Sequence, residues 1–267
     1  MPEETTGLKL VRTAKRREDR IGIITMDTPP LNVFTREMKD ELRKAFEEMD
    51  RDPGIAAIIL TGSGERAFNV GSDIKELKTH LTIGKVKERA RHENDLNNYI
   101  QNLAKPTIAA INGYALGGGL EIALACDMRV CAKDSKLGTP EIKLAVFPGG
   151  GGTERLPALI GYSKTLELIL TGKMIGADEA MQLGLVNRVA TDSNALDEAM
   201  ELARSFTSCS LAAIKMIKKV VRRGSELSFD KANELSMVDF EDAFATQDAA
   251  EGINAFLEKR IPLFVDA

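Results

Sequence analysis

What is scarce in this sequence narrows its chemistry before any motif is read. Its 267 residues include no tryptophan, two histidines and three cysteines. His80 and His92 stand in polar surroundings without a ligand pattern beside them, which argues against a histidine-based metal site or a His-dependent triad and reads both as solvated side chains. Cys126, Cys131 and Cys209 are odd in number and form no CxxC pair, so neither a disulfide framework nor a cysteine zinc site is expected. A reducing, cytoplasmic setting fits. No apolar run is long enough to span a bilayer. Residues 1–20 carry Glu3, Glu4, Glu18 and Asp19 among scattered basic residues, matching neither a secretory signal nor an acid-poor transit peptide. Excess charge is missing too: 36 basic against 40 acidic residues give a net charge of -4, which argues against nucleic acid or a membrane surface as a partner. The glycine clusters fit neither GxGxxG nor GxxxxGK[ST], since Gly84-Lys85 is followed by Val86 and Gly172-Lys173 by Met174.

Apolar residues, by contrast, are plentiful, at 43% of a chain long enough for one large domain or one domain with an appendage. Ile21–Met26 reads as a strand closed by Pro29-Pro30. From Thr35, a plausible N-cap, Met38, Leu42, Ala45, Phe46 and Met49 share one helical face until Asp52-Pro53-Gly54. Ala56–Thr61 reads as a buried strand ended by Gly62, and strand, helix, strand implies a layered α/β architecture. Further strands are expected at Thr107–Asn112 and Met128–Ala132. Residues 78–105 read as a helix with an exposed face or a mobile flap, the local pattern not choosing between them. Beyond residue 160 strand signals fade. Helices dominate there, among them a stripe of Leu211, Ile214, Ile217, Val220 and Val221 opposite Lys215, Lys218, Lys219, Arg222 and Arg223, ending at Gly224.

The candidate chemistry gathers at three turns. Ala67–Leu77 runs through a bend at Gly71 into a helix-compatible segment. Ile108–Glu121 runs from an apolar strand through Gly117-Gly118-Gly119 into an apolar helix whose first N–H groups are free to meet an anion or a polarised oxygen. Thr139-Pro140-Glu141 looks like a helix start capped by Thr139, and Gly149–Gly152 forms a second glycine-rich bend. Glu121 and Glu141 each have an ordinary explanation as helix-start carboxylates. Their apolar, turn-rich company favours raised pKa values, and two carboxylates sharing a pocket can act as acid and base together.

Ala67–Leu77, Ile111–Cys126 and Thr139–Leu156, in this order and spacing, resemble the three signature regions of the crotonase superfamily, most closely the enoyl-CoA hydratases. A weaker likeness extends from Leu31-Asn32 to the C-terminal helix. The resemblance implies an α/β spiral of strand-strand-helix repeats over residues 1–200, holding CoA and the active site. It also implies a C-terminal helical region over 201–267 that drives assembly into a trimer, or a hexamer built as a dimer of trimers. It implies reversible addition of water to a 2-enoyl-CoA, with coenzyme A as part of the substrate and no metal or redox cofactor. The thioester oxygen would sit between the backbone N–H groups of Ser72 and Gly118. Glu121 would orient and activate the water, and Glu141 would protonate the α-carbon. CoA would lie along Ala67, Phe68, Gly71, Asp73, Ile74 and Lys75, with Phe240 and Lys259 matching positions that touch it; Lys75 reads equally as a solvated helix residue.

The pattern departs from the family at Asn69 and Ser72, which replace small apolar residues, and at Asp27–Val33, which lacks the usual arginine. The four glycines at 149–152 are expected to enlarge or loosen the acyl pocket. Retention of both glutamates favours hydration over the alternatives within the superfamily, an enoyl-CoA isomerase or an acyl-CoA decarboxylase. An RNA-binding member of the same fold has only the Lys215–Arg223 face in its support, and that face reads as well as a solvated helix surface or a subunit contact.

Overall fold

The computed structural model describes residues 3–4, 8–79, 84–192 and 194–266, so the reading of His80 lies outside the described residues. Along the chain, β1 (Glu3–Glu4), β2 (Val11–Arg16) and β3 (Ile21–Met26) precede α1 (Arg36–Arg51). Next come β4 (Ala57–Gly62) and β5 (Ala67–Asn69), followed by α2 (Ile74–Thr79) and α3 (Lys85–Asn102). β6 (Thr107–Ile111) and β7 (Tyr114–Leu116) lead into α4 (Gly118–Ala125). β8 (Met128–Ala132) and β9 (Lys136–Gly138) lead into a 3-10 turn at Pro140–Leu144, then α5 (Gly152–Ile160) and α6 (Tyr162–Thr171). The remainder is β10 (Met174–Gly176), α7 (Ala177–Gln182), β11 (Arg188–Ala190), α8 (Ala195–Thr207), α9 (Leu211–Glu226), α10 (Phe229–Phe244) and α11 (Gln247–Glu258).

Three successive strand pairs, β4–β5, β6–β7 and β8–β9, each send their first strand to a seven-stranded sheet and their second to a four-stranded one. The strand orders are β1-β2-β3-β4-β6-β8-β11 and β10-β9-β7-β5. From β3 to β11 the larger sheet is parallel. This repetition of strand, strand and helix is the expected α/β spiral. Every residue of β4 and β6 is buried, as a parallel strand covered on both faces requires. One face, with Ile58, Leu60, Ala109 and Ile111, meets the main core under α1; the other, with Ile59, Ile108 and Val130, is covered by Ala195, Ala199, Met200 and Ala203 of α8. Residue 200 therefore falls inside a helix that packs on the sheet.

α1 follows its pattern closely: the Thr35 side chain accepts the Met38 N–H at 3.1 Å, and the apolar face is buried. Residues 85–102 are helical, and only Leu96, Asn97 and Ile100 of α3 are buried. Several expectations need correction. Strands continue past residue 160, because β10 and β11 are three-residue pieces that complete sheet edges and carry no period of their own. Thr139 precedes the turn at Pro140 without capping it, its buried hydroxyl finding no partner among the described residues. α9 runs on through Gly224 to Glu226. His92 is half-buried with Nε2 3.2 Å from an Asp40 oxygen, so it is not a freely solvated side chain.

The cationic face of α9 is largely satisfied within the chain. Lys218 bridges Asp127 at 2.7 Å, Lys219 and Arg223 both hold the buried Asp239, and Arg222 binds Glu226 and the Gln101 carbonyl. Among the described residues no helix is long and apolar enough to cross a membrane.

Candidate active site

The two sheets deliver three turns to one place. At the end of β5 the chain bends at Gly71, where φ is +88°. Phe34 and Ser72 form an isolated parallel bridge that uses the Gly71 carbonyl, accepting from Phe34 N–H at 2.8 Å, and the Asp73 N–H, donating to the Phe34 carbonyl at 3.1 Å. That register leaves the Ser72 N–H out of the ladder. At the end of β7, Gly117 N–H donates to the Gly138 carbonyl and α4 begins; its first intrahelical donor is Glu121, so the Gly118 N–H is one of the free first-turn donors. The bends touch: a Cβ on Gly71 would stand 3.2 Å from the Gly118 nitrogen. A Cβ on Gly119 would stand 2.0 Å from the Asn69 carbonyl, which makes glycine obligatory there.

Asn69 has a role its sequence position did not suggest. Fully buried, it accepts the Gly71 N–H on Oδ1 at 2.7 Å and donates to the Asn32 carbonyl, so it holds the bend that presents Ser72. The Asn32 amide in turn donates to the Ala67 and Ser63 carbonyls. The side chains of Ala67 and Phe68 are wholly buried in the core, leaving only their main chain for any contact with CoA. Ile74 and Lys75 are exposed on α2, and the Lys75 N–H donates to Asp73 Oδ1 at 2.7 Å.

Glu121, one turn into α4, is 2% exposed, and its Oε1 accepts the N–H groups of Gly150 at 2.7 Å and Gly152 at 2.9 Å. The glycine run at 149–152 thus clamps Glu121. The clamp is itself tied down: Asn97 donates to the Gly150 carbonyl at 2.8 Å, Arg155 to the same oxygen at 3.1 Å, and Asn94 to the Gly149 carbonyl at 2.6 Å. Burial first, then the nearby Glu93 and Glu141, push the Glu121 carboxyl up to about 7 despite the opposing pull of its two N–H partners.

Glu141 sits in the 3-10 turn with Oε1 3.0 Å from where a Cβ on Gly117 would be. Its Oε2 is buried without a hydrogen-bond partner among the described residues. A shielded carboxyl oxygen without a donor is costly, and one whose charge couples to a second carboxylate is a candidate functional group. Burial is the main cause holding its pKa above the usual carboxylate range, with Glu93 acting in the same direction.

Phe240 is exposed on α10, its ring 4.9 Å from that of Phe244, and Lys259 caps α11 in a left-handed conformation. Among the described residues no hydrogen bond or ion pair ties either to Ala67–Lys75.

Glu93 is the group the sequence reading missed. It projects from α3, within a run of charges that reads as a solvated face, yet its side chain is only 13% exposed and bridges the buried Lys39 at 2.9 Å. Nothing in the local pattern separates it from its exposed neighbours.

Two main-chain donors without a partner among the described residues, two carboxylates of raised pKa and a glycine clamp form an arrangement able to stabilise a developing oxyanion and to move protons beside it. Comparison with known proteins identifies the family. The enoyl-CoA hydratase/isomerase family model matches residues 16–267, and the chain belongs to that family. It is 36% identical over 254 residues to a short-chain-enoyl-CoA hydratase of Clostridium acetobutylicum, covering 95% of this chain and 97% of the relative. It is 43% identical over 252 residues to a probable enoyl-CoA hydratase of Mycobacterium tuberculosis, covering 93% and 95%. Among solved structures, an enoyl-CoA hydratase from Bacillus anthracis superposes with a TM-score of 0.91 at 32% identity, over 97% of this chain and 100% of that one.

Proposed function

We propose that the protein is an enoyl-CoA hydratase that adds water reversibly to a 2-enoyl-CoA, giving the 3-hydroxyacyl-CoA. The observation that carries this reading is the pairing of two N–H groups, on Ser72 and Gly118, that have no partner among the described residues with two carboxylates, the buried Glu121 and the half-buried Glu141, whose Oε2 is shielded from solvent. The relatives' names support it.

In the proposed mechanism the thioester oxygen lies between the two N–H groups. Addition at the β-carbon turns that oxygen into an enolate, and fixed donors stabilise the enolate more than the neutral carbonyl. Glu121, held through Oε1, uses Oε2 to orient the water and take its proton as the C–O bond forms. Glu141 delivers a proton to the α-carbon and takes it back in the reverse direction. Raised pKa values suit both tasks near neutral pH. The reaction needs no metal or redox partner, because water is the only co-reactant. CoA is assigned to the Gly71–Lys75 side, and Phe240 and Lys259 to contacts with a neighbour's CoA.

Two carboxylates favour hydration over double-bond migration or decarboxylation. The in-chain pairing of Lys218, Lys219, Arg222 and Arg223 weakens the RNA-binding reading. The C-terminal helices expose Phe229, Phe256 and, beyond α11, Ile261, each more than 80% accessible, which supports a trimer or hexamer as the working assembly. Free thiols at Cys126, Cys131 and Cys209 suit a reducing, cytoplasmic setting. The test is loss of conjugated-thioester absorbance when crotonyl-CoA is added; no loss with any enoyl-CoA refutes the reading.

A further inference from the structure

The hydration scheme makes no use of Glu93, although Glu93 borders its reacting groups. Two glycines locate it. A Cβ on Gly118 would lie 2.7 Å from Glu93 Oε1 and 3.4 Å from Phe34 Cδ2, and one on Gly150 would lie 3.1 Å from Glu93 Cγ and 2.7 Å from Glu121 Oε2. The carboxylate therefore stands between the residue that donates to the oxyanion and the glutamate that handles water. Its Oε2 is committed to Lys39, whose ammonium also lies 5.3 Å from the centre of the Phe34 ring. Its Oε1 takes no hydrogen bond from any described residue.

Stability does not account for this pair, since a buried ion pair exchanged for well-packed apolar side chains is commonly neutral or stabilising. A plain hydrocarbon acyl chain does not account for it either. Such a chain would displace water from Oε1 and leave a charged acceptor without a donor, a costly arrangement. A chain carrying a donor removes that cost. Because Lys39 already neutralises Glu93, the pair carries no net charge, and a neutral donor suits it better than an ammonium group.

We propose that Glu93 is a specificity-determining residue of the acyl pocket, its Oε1 accepting a hydrogen bond from a hydroxyl group carried on the acyl chain just beyond the β-carbon. The substrate class is then the ω-hydroxylated short 2-enoyl-CoAs. A site built around such a contact discriminates strongly against the analogue that lacks the hydroxyl. This inference rests on the hydratase reading and names the substrate of that same site.

The test compares kcat/KM for matched pairs: 4-hydroxybut-2-enoyl-CoA against pent-2-enoyl-CoA, and 5-hydroxypent-2-enoyl-CoA against hex-2-enoyl-CoA. The wild-type enzyme is expected to favour the hydroxylated member of at least one pair by roughly tenfold or more, the scale of one hydrogen bond to a charged group. In Lys39→Met/Glu93→Leu, which removes both charges together, the ratio should fall to about one or below, while Glu93→Gln keeps an acceptor and part of the preference. Wild-type enzyme that uses the alkyl members as well or better overturns the proposal without recourse to any variant. So does a preference that survives undiminished in the double variant. If no enoyl-CoA of either kind is hydrated, the hydratase reading fails and this proposal falls with it; hydration without hydroxyl preference sinks the proposal alone.

Discussion

Gly71 packs its Cα against the main-chain nitrogen of Gly118, close enough that a methyl group on Gly71 would come 3.2 Å from that nitrogen and 3.0 Å from the Leu116 carbonyl. The two bends that carry the proposed oxyanion donors thus meet in one contact. In Gly71→Ala the new Cβ must fit this gap at φ +88°, which costs an L-residue about 1–2 kcal/mol on its own account. The expected outcome is a kcat lowered by roughly 100-fold or more, as when one oxyanion donor is lost, with a much smaller change in thermal stability. Steady-state hydration of crotonyl-CoA alongside a melting curve checks it. Unchanged kcat in a folded variant would remove Ser72 and Gly118 from the mechanism.

The two glutamates are predicted to fail separately. Glu121→Gln keeps an oxygen for the Gly150 and Gly152 N–H groups, so the clamp survives while proton uptake from water is lost. Glu141→Gln leaves its neighbours undisturbed, because Oε2 has no hydrogen-bond partner among the described residues. Each is expected to lose roughly 100- to 10,000-fold in kcat. A second readout separates them: exchange of the α-proton of a 3-hydroxyacyl-CoA with solvent deuterium should be lost in Glu141→Gln. Wild-type turnover in both variants would refute the two-carboxylate scheme.

Glu93 also sets where Glu121 titrates. With Glu121 acting as base, activity should fall on the acid side with a limb near 7, the value to which burial, Glu93 and Glu141 push the carboxyl. Arg155, on α5, is a cation whose charge couples to Glu121. Glu93→Gln removes a negative charge and leaves the Lys39 ammonium unmatched, and both changes favour the Glu121 carboxylate. The acid limb of kcat/KM should therefore move to lower pH. Where the unpaired lysine destabilises the fold, Lys39→Met/Glu93→Gln should still move the limb to lower pH, by less, because the lost lysine charge partly offsets the lost carboxylate. A limb that stays put or rises contradicts the role assigned to Glu93.

How much of this was legible in the sequence depended on the range over which each feature is encoded. The strand Ile21–Met26 and the helix after Thr35 were readable because their periods repeat within a few residues and a local cap marks the boundary. β7, β9 and β10 were not, since three residues hold no period and these strands exist by pairing with one another. Glu121 and Glu141 were legible as motif positions, but the N–H groups that hold Glu121 come from 29 and 31 residues away. Glu93 was hidden twice. It lies in a charged run where neighbours such as Lys87 and Glu88 are exposed, and its partner Lys39 sits on a helix whose spacing gives no hint of that contact.

Stability should carry the signature of the buried Glu121. A glutamate carboxyl ionises at 4.5 when unperturbed and this one at about 7 in the fold, so between these values the folded state binds the extra proton. The favourable contribution is fully present below about 4.5 and is lost as pH rises through about 7. At 1.36 kcal/mol per unit, the shift corresponds to at most about 3 kcal/mol of stability missing at pH 8. Glu121→Gln abolishes this titration while its amide oxygen still accepts the two glycine N–H groups. The variant is therefore expected to gain on the wild type as pH rises from 5 to 8, whatever their offset at pH 5. Urea denaturation of both proteins at several pH values, at one fixed protein concentration so that subunit association does not vary, measures the difference directly. A difference that does not change with pH would mean that Glu121 is ionised throughout that range, and the acid limb near 7 would then need another owner.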